Sequence, residues 1–158
     1  MDQTLPAFDQ NGNLPAGDHR PSRTDFESRF VNVPNSTTRQ IIYNGWNLYR
    51  SALQTVGVDA ANLMMLDGSF TTSKRDPADL DLAVEVDVAD ISAAGRLLTG
   101  PAMKPQYYCD AYGIPVYPAG SPEHASTEAM RAYWRKWFGL DRAGNQKGIV
   151  SATVGGLP

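Results

Sequence analysis

Cysteine is almost missing from this chain of 158 residues. Cys109 stands alone, so no disulfide within the chain can staple the fold. Long apolar runs are missing too, and no stretch approaches the roughly 20 consecutive apolar residues that a membrane-spanning helix needs. Histidine is scarce. His19 and His124 sit in proline-rich stretches without metal-ligand spacing, so no zinc site is expected. Neither sign of charge dominates: 14 basic residues face 17 acidic ones for a net charge of -3, which argues against a dedicated duplex-binding protein with a basic face. The opening stretch, Met1 to Gly12, has no basic segment followed by an apolar run. No secretory leader is therefore expected, and the unpaired thiol fits the cytoplasm.

With 42% hydrophobic residues, a chain of this length should form one domain and bury roughly two thirds of its unfolded surface. Its 14 glycines and 11 prolines indicate an ordered domain rich in turns. Charge is distributed unevenly. Asp59 to Asp90 holds eight of the 17 acids and two of the 14 bases, a local net of -6, which leaves the other 126 residues with nine acids and twelve bases, a net of +3.

The first 23 residues, punctuated by Pro6, Gly12, Pro15, Gly17 and Pro21, read as an extended arm packing on a domain over residues 24–158. Ser22 or Thr24 is placed to cap a short helix through Phe30. A longer helix opens near Pro34 to Ser36 and runs to about Val56, with Ile41, Ile42, Gly45, Trp46, Tyr49 and Leu53 forming a core-facing stripe. Leu63-Met64-Met65-Leu66 is an all-apolar run before the turn Asp67-Gly68-Ser69, the pattern of a strand buried on both faces. From Asp79 to Val88 the pattern alternates: Leu80, Leu82, Val84, Val86 and Val88 take one face, and Asp79, Asp81, Ala83, Glu85 and Asp87 the other. That is the period of a half-buried strand. A helix is expected over about Val88 to Leu98, an extended segment over Gln106 to Tyr117, a final helix opened by Ser121-Pro122-Glu123, a turn at Asp141 to Asn145, and a last strand over Gly148 to Val154. Helices alternating with three or four strands predict an α/β or α+β domain.

Asp79 and Asp81 carry the chemistry. At i and i+2 on a strand both side chains share one face, roughly 6.5 to 7 Å apart. Carboxylates this close repel unless protonated or bridged by a cation, and magnesium, which prefers oxygen ligands and completes its shell with water and phosphates, is the natural counter-charge. Upstream of that pair, with nine residues between Ser69 and Asp79, Gly68 and Ser69 follow the apolar strand in a tight turn. Glycine lets the backbone approach a phosphate, and the serine hydroxyl and neighbouring N–H groups can donate to it.

In this order and spacing, Leu66-Asp67-Gly68-Ser69 and Asp79-Leu80-Asp81-Leu82 resemble the nucleotidyltransferase superfamily typified by DNA polymerase β. The whole chain is similar to a family of small stand-alone bacterial and phage proteins with that core. The likeness rests on Asn11-Gly12-Asn13-Leu14-Pro15, Leu66 to Phe70 with Lys74 and Pro77-Ala78-Asp79-Leu80-Asp81, Asp141-Arg142-Ala143-Gly144, and Lys147-Gly148-Ile149-Val150. The resemblance implies a minimal nucleotidyltransferase fold, a small mixed sheet flanked by helices. It also implies magnesium held by Asp79, Asp81 and a third carboxylate, with a hydroxyl of RNA or protein attacking the α-phosphorus of a nucleoside triphosphate. Gly68 and Ser69 would hold the β and γ phosphates, with Lys74 as a screening charge. Asp110, the single acid on what reads as the next strand, is the expected third carboxylate, because Glu85 and Asp87 lie roughly 13 to 20 Å along the strand from the pair. Where the superfamily often has arginine or tyrosine after its Gly-Ser, this chain has Phe70-Thr71-Thr72. Stand-alone relatives of this kind often serve toxin–antitoxin or phage-defence systems.

The rival expectation is a module of the same fold without turnover, acting through a protein partner. Its contact would be the aromatic run Tyr133, Trp134, Trp137 and Phe138, read as core or as an interface with a partner or a second copy. Cys109 reads as a small buried residue, and Lys74 and Lys147, taken alone, as solvated surface residues. The bases Arg131, Arg135, Lys136 and Arg142 read as a solvated helix face.

Overall fold

A computed structural model describes residues 4–158. Five strands, β1 (Asp18–His19), β2 (Leu63–Asp67), β3 (Leu80–Asp87), β4 (Cys109–Val116) and β5 (Ile149–Thr153), form one mixed sheet in the order β1-β5-β2-β3-β4. The pairs β1–β5 and β3–β4 are parallel, while β5–β2 and β2–β3 are antiparallel. The helices are α1 (Arg23–Phe26), α2 (Arg39–Thr55), α3 (Ile91–Ala94), α4 (Lys104–Tyr107) and α5 (His124–Phe138). The class is α+β, as the sequence pattern predicts. No helix among the described residues is long and apolar enough to cross a membrane.

The expected arm packs on the body, apart from Met1–Gln3, which lie outside the described residues. Leu5 and Leu14 are buried in the main core, and Arg29 donates to the carbonyls of Pro6 (2.6 Å) and Leu5 (3.1 Å). The arm also supplies β1, so it completes the sheet at the β5 edge. Ser22, rather than Thr24, caps α1 by accepting from the Asp25 N–H at 3.1 Å. The chain then continues as a single π turn over Glu27–Val31.

Helix α2 covers one face of the sheet. Ile42, Trp46, Tyr49 and Leu53 are buried as the periodicity requires, and the Trp46 indole N–H points at the Met64 sulfur, 3.1 Å away. Gly45 belongs to the same stripe for a steric reason, since a Cβ there would collide with the carbonyl of Tyr107 in α4. Ile41 is instead 48% exposed, because the stripe is centred on Ile42, Trp46 and Leu53 and Ile41 falls outside its flank.

Helix α5 covers the other face, and this overturns one expectation. The face of β3 bearing Asp81, Ala83 and Glu85 is not solvated. Ala83 packs with Met65, Ile114, Ile149, Trp134 and Phe138, and Glu85 is 7% exposed beneath Arg131, whose guanidinium grips both carboxylate oxygens at 2.6 and 3.0 Å. Strand β3 therefore runs through the middle of three layers. Glu85, on its second face, is buried and paired rather than exposed. The expected helix over Val88 to Leu98 is broken into a 3-10 turn, the one-turn α3 and a second 3-10 turn. Gln106 and Tyr107 belong to α4 rather than to an extended segment. Tyr108 then takes a left-handed conformation (φ 55°) that ends the helix and turns the chain into β4.

Arg39 is the least expected core residue. It is 1% exposed at the start of α2 and meets no carboxylate within its fork; it donates to the carbonyls of Phe30 (2.8 Å), Phe70 (2.7 Å), Thr72 (2.8 Å) and Lys74 (2.6 and 3.1 Å). Burial pushes its pKa down to about 10, which leaves it charged at neutral pH. The planar fork thereby pins the irregular connector between β2 and β3. Arg39→Lys keeps the charge but cannot reach four carbonyls, and should lower the unfolding free energy by about 2–4 kcal/mol in urea titrations. A loss below about 0.5 kcal/mol, the range of an ordinary surface change, would show that the connector does not depend on this clamp.

Candidate functional site

Strand register assembles the site. Asp67 of β2 pairs with Asp81 of β3, and Asp81 pairs with Asp110 of β4, so three carboxylates stand on one rung across three adjacent strands. Directly paired residues project to the same face, here the face covered further along by α5. Asp79 lies two residues before Asp81, just outside β3. The start of β3 is fixed from the β4 side: the Leu80 N–H donates to the carbonyl of Tyr108 (2.9 Å), the left-handed residue that opens β4. A tyrosine in that conformation costs roughly 1–2 kcal/mol, and strain of this kind tends to be held where a site requires it.

The turn after β2 closes over the rung. Gly68 has φ 78°, and a Cβ there would collide with the carboxylate of Asp81. Only glycine meets both demands. Ser69, half-buried, begins a single 3-10 turn held by the Thr72 hydroxyl, which donates to the Ser69 carbonyl at 2.7 Å.

Crowding of negative charge shows in the proton affinities. Burial, followed by repulsion from Asp79 and Asp110, pushes Asp81 up to about 6. Asp67 is also held above the usual carboxylate range, chiefly by burial, with Lys147 pulling the other way. Two lysines supply the counter-charge. Lys104 of α4 places its ammonium 2.8 Å from Asp79, and Lys147 places its own 3.0 Å from Asp67 while donating to the carbonyl of Gly68 at 2.6 Å. Among the described residues no three His, Cys, Asp or Glu side chains form a ready-made cage for a metal ion. The donor set nonetheless suits a hard cation. It is all oxygen, and Asp110 keeps one buried carboxylate oxygen without a hydrogen-bond partner.

Asp79, Asp81, Asp110, Gly68 and Ser69 thus come together. Lys74 stays apart: its side chain is exposed on the connector, while its backbone carbonyl accepts from Arg39 and its N–H donates to the Thr72 hydroxyl. Lys147 corrects an expectation, because it is 5% exposed rather than solvated. Its backbone N–H donates to the carbonyl of Gly139 at the end of α5, which aims the side chain inward from the 140–146 turn. The separate stretches singled out in the sequence also meet. Asn13 donates to Asp141 (3.0 Å), the Ser73 N–H donates to the Gly12 carbonyl (2.9 Å), and the Gly148 N–H donates to the Leu14 carbonyl (2.9 Å).

Asp67, Lys104 and Lys147 are members of the constellation that sequence reasoning passed over. Lys147 was within reach, since it opens one of those stretches. Nothing in Ala102-Met103-Lys104-Pro105 marks Lys104. Cys109 is fully buried, as expected, and Trp134 and Phe138 are core, but Tyr133 and Trp137 are 55% and 67% exposed. A cavity of about 490 Å³ lies elsewhere, lined by Arg20, Leu63, Thr153 and the 155–158 segment, and contains none of these carboxylates.

The chain belongs to the family described as "Family of unknown function (DUF6932)", whose model matches residues 6–153. No curated protein and no solved structure matches it.

Asp81 binds its proton more readily in the folded chain than in the unfolded one. Its contribution to stability is therefore full below the unfolded value near pH 4 and is lost as pH rises through about 6. In chelator at pH 8, Asp81→Asn should unfold with a free energy on the order of 1–3 kcal/mol above wild type, and at pH 3.5 the gain should vanish. Denaturant titrations at the two pH values check this, and equal stability at pH 8 would remove the proposed repulsion.

Proposed function

We propose that this protein is a magnesium-dependent nucleotidyltransferase of the cytoplasm, moving a nucleoside monophosphate from a nucleoside triphosphate onto a hydroxyl of RNA or protein. The observation that carries the reading is the pairing of Asp81 with Asp110 on parallel neighbours, with Asp79 alongside and the Gly68 turn seated against the Asp81 carboxylate. Asp79, Asp81 and Asp110 would hold magnesium, which supplies charge stabilisation to the attacking and departing oxygens when bound. The glycine turn and Ser69 would hold the β and γ phosphates; Lys74, which stands apart on the connector, is left out of this role. The acceptor oxygen forms a bond to the α-phosphorus as the bond to the departing pyrophosphate breaks. Asp110, whose Oδ1 has no hydrogen-bond partner, would take the proton of the attacking hydroxyl. The likeness to stand-alone bacterial and phage proteins suggests a toxin–antitoxin or phage-defence setting.

A second reading, a binding module without turnover, has its own support. Lys104 and Lys147 already offset charge at Asp79 and Asp67, and Tyr133 and Trp137 present exposed rings at the C-terminal half of α5 for a protein partner. Purified protein incubated with labelled triphosphates, magnesium and cell extract separates the two. The enzyme reading expects label transfer that falls roughly 100-fold or more in Asp79→Asn and Asp81→Asn. Asp87→Asn, at the far end of β3, is the control and should retain transfer; Glu85 is unsuitable because its loss would strand Arg131. Transfer equal in wild type and Asp79→Asn, or none in wild type, would rule for the binding module. Capture of an extract protein that is lost in Trp137→Ala would then be its mark.

A further inference from the structure

The two lysines at the carboxylates differ in a way that gives them different roles. Lys147 is 5% exposed, is tied to the Gly68 carbonyl as well as to Asp67, and enters from a turn anchored to both the end of α5 and the arm. It has nowhere to go without leaving a buried carboxylate uncompensated. Lys104 pairs with Asp79 alone at 2.8 Å, and its side chain is 43% exposed. It rides on a four-residue helix beside the site, at the end of a long flexible stem. An ion pair this open to water is held weakly and is easily exchanged.

We propose that Lys104 is an exchangeable counter-ion, neutralising Asp79 while the carboxylates hold no divalent cation and moving to the phosphate oxygens of the bound polyphosphate once a cation takes Asp79. This rests on the reading of Asp79, Asp81 and Asp110 as a cation site. Coulombic repulsion and attraction give the reason. A divalent cation arriving at Asp79 repels the ammonium beside it, and the anionic ligand that completes the cation's shell offers the displaced ammonium a new partner within reach of the same stem. Lys104 therefore competes with the cation when no ligand is present and assists ligand binding when the cation is present. Binding of the two becomes cooperative through one side chain, a coupling that must be reciprocal.

The test measures binding rather than turnover, on the full chain, with Mn2+ as the paramagnetic probe and inorganic tripolyphosphate as the anion. Lys104→Met should bind Mn2+ alone about 3- to 10-fold more tightly than wild type, and should bind tripolyphosphate in saturating Mn2+ more weakly by a similar factor. Lys104→Arg should restore the anion affinity. Thermal unfolding in chelator confirms that the variants fold. Mn2+ affinity in Lys104→Met equal to or below that of wild type, with binding still lost in Asp81→Asn, would overturn the exchange while leaving the cation site standing. Mn2+ binding absent from wild type and Lys104→Met alike, or unchanged in Asp81→Asn, would remove the cation site and this role with it.

Discussion

A buried ammonium, Lys147, sits where the separate parts of this protein meet. It faces Asp67 at the end of β2 and holds the carbonyl of Gly68 in the turn that follows, and its backbone is bonded to the end of α5. Its neighbour Gly148 is bonded to the arm through Leu14, and the arm reaches the β2–β3 connector through Gly12 and Ser73. Breaking a buried pair by removing one member typically costs about 3–5 kcal/mol, because the survivor is left charged and unsolvated. The conformation of the Gly68 turn, and with it the position of Ser69 and the close approach to the Asp81 carboxylate, therefore depends on a residue 79 positions away along the chain.

Around that anchor the molecule tolerates a concentration of negative charge that folding alone would not favour. Asp67, Asp81 and Asp110 share a rung and Asp79 stands beside them, while burial and mutual repulsion raise the proton affinity of Asp81. Compensation comes from opposite directions, from Lys147 on the β5 side and Lys104 on the α4 side. A second buried cation, Arg39, is spent wholly on backbone carbonyls of the connector and adjoining segments. The connector between the glycine turn and Asp79 is irregular in sequence yet fixed at its centre. That is what a ligand site needs from a loop that must present several groups at once.

The layers explain why part of this was legible and part was not. The apolar run at β2, the alternation of β3, the stripe of α2 and the aromatic helix α5 were readable because each depends on neighbours a few residues away. The same local reading took the acidic face of β3 to be solvated, since period 2 says that two faces differ but not what covers the second one. Glu85 shows the consequence: a carboxylate that reads as surface is buried because Arg131 lies over it. Lys147 was misread for the same reason, and Lys104 was invisible because its only notable property is the distance to Asp79.

By itself the sequence determined an α+β domain whose charge is divided between an acidic segment and a basic remainder, with a glycine turn followed at fixed spacing by two aspartates on one side of a strand. These are consequences of period, composition and turn chemistry, all short-range. Tertiary structure alone decided that Asp110 stands in register with Asp81, that Asp67 joins the rung, and which lysines offset the charge. Strand register and ion pairing are set by distances through space, and those distances follow from how α2 and α5 close the two faces of the sheet.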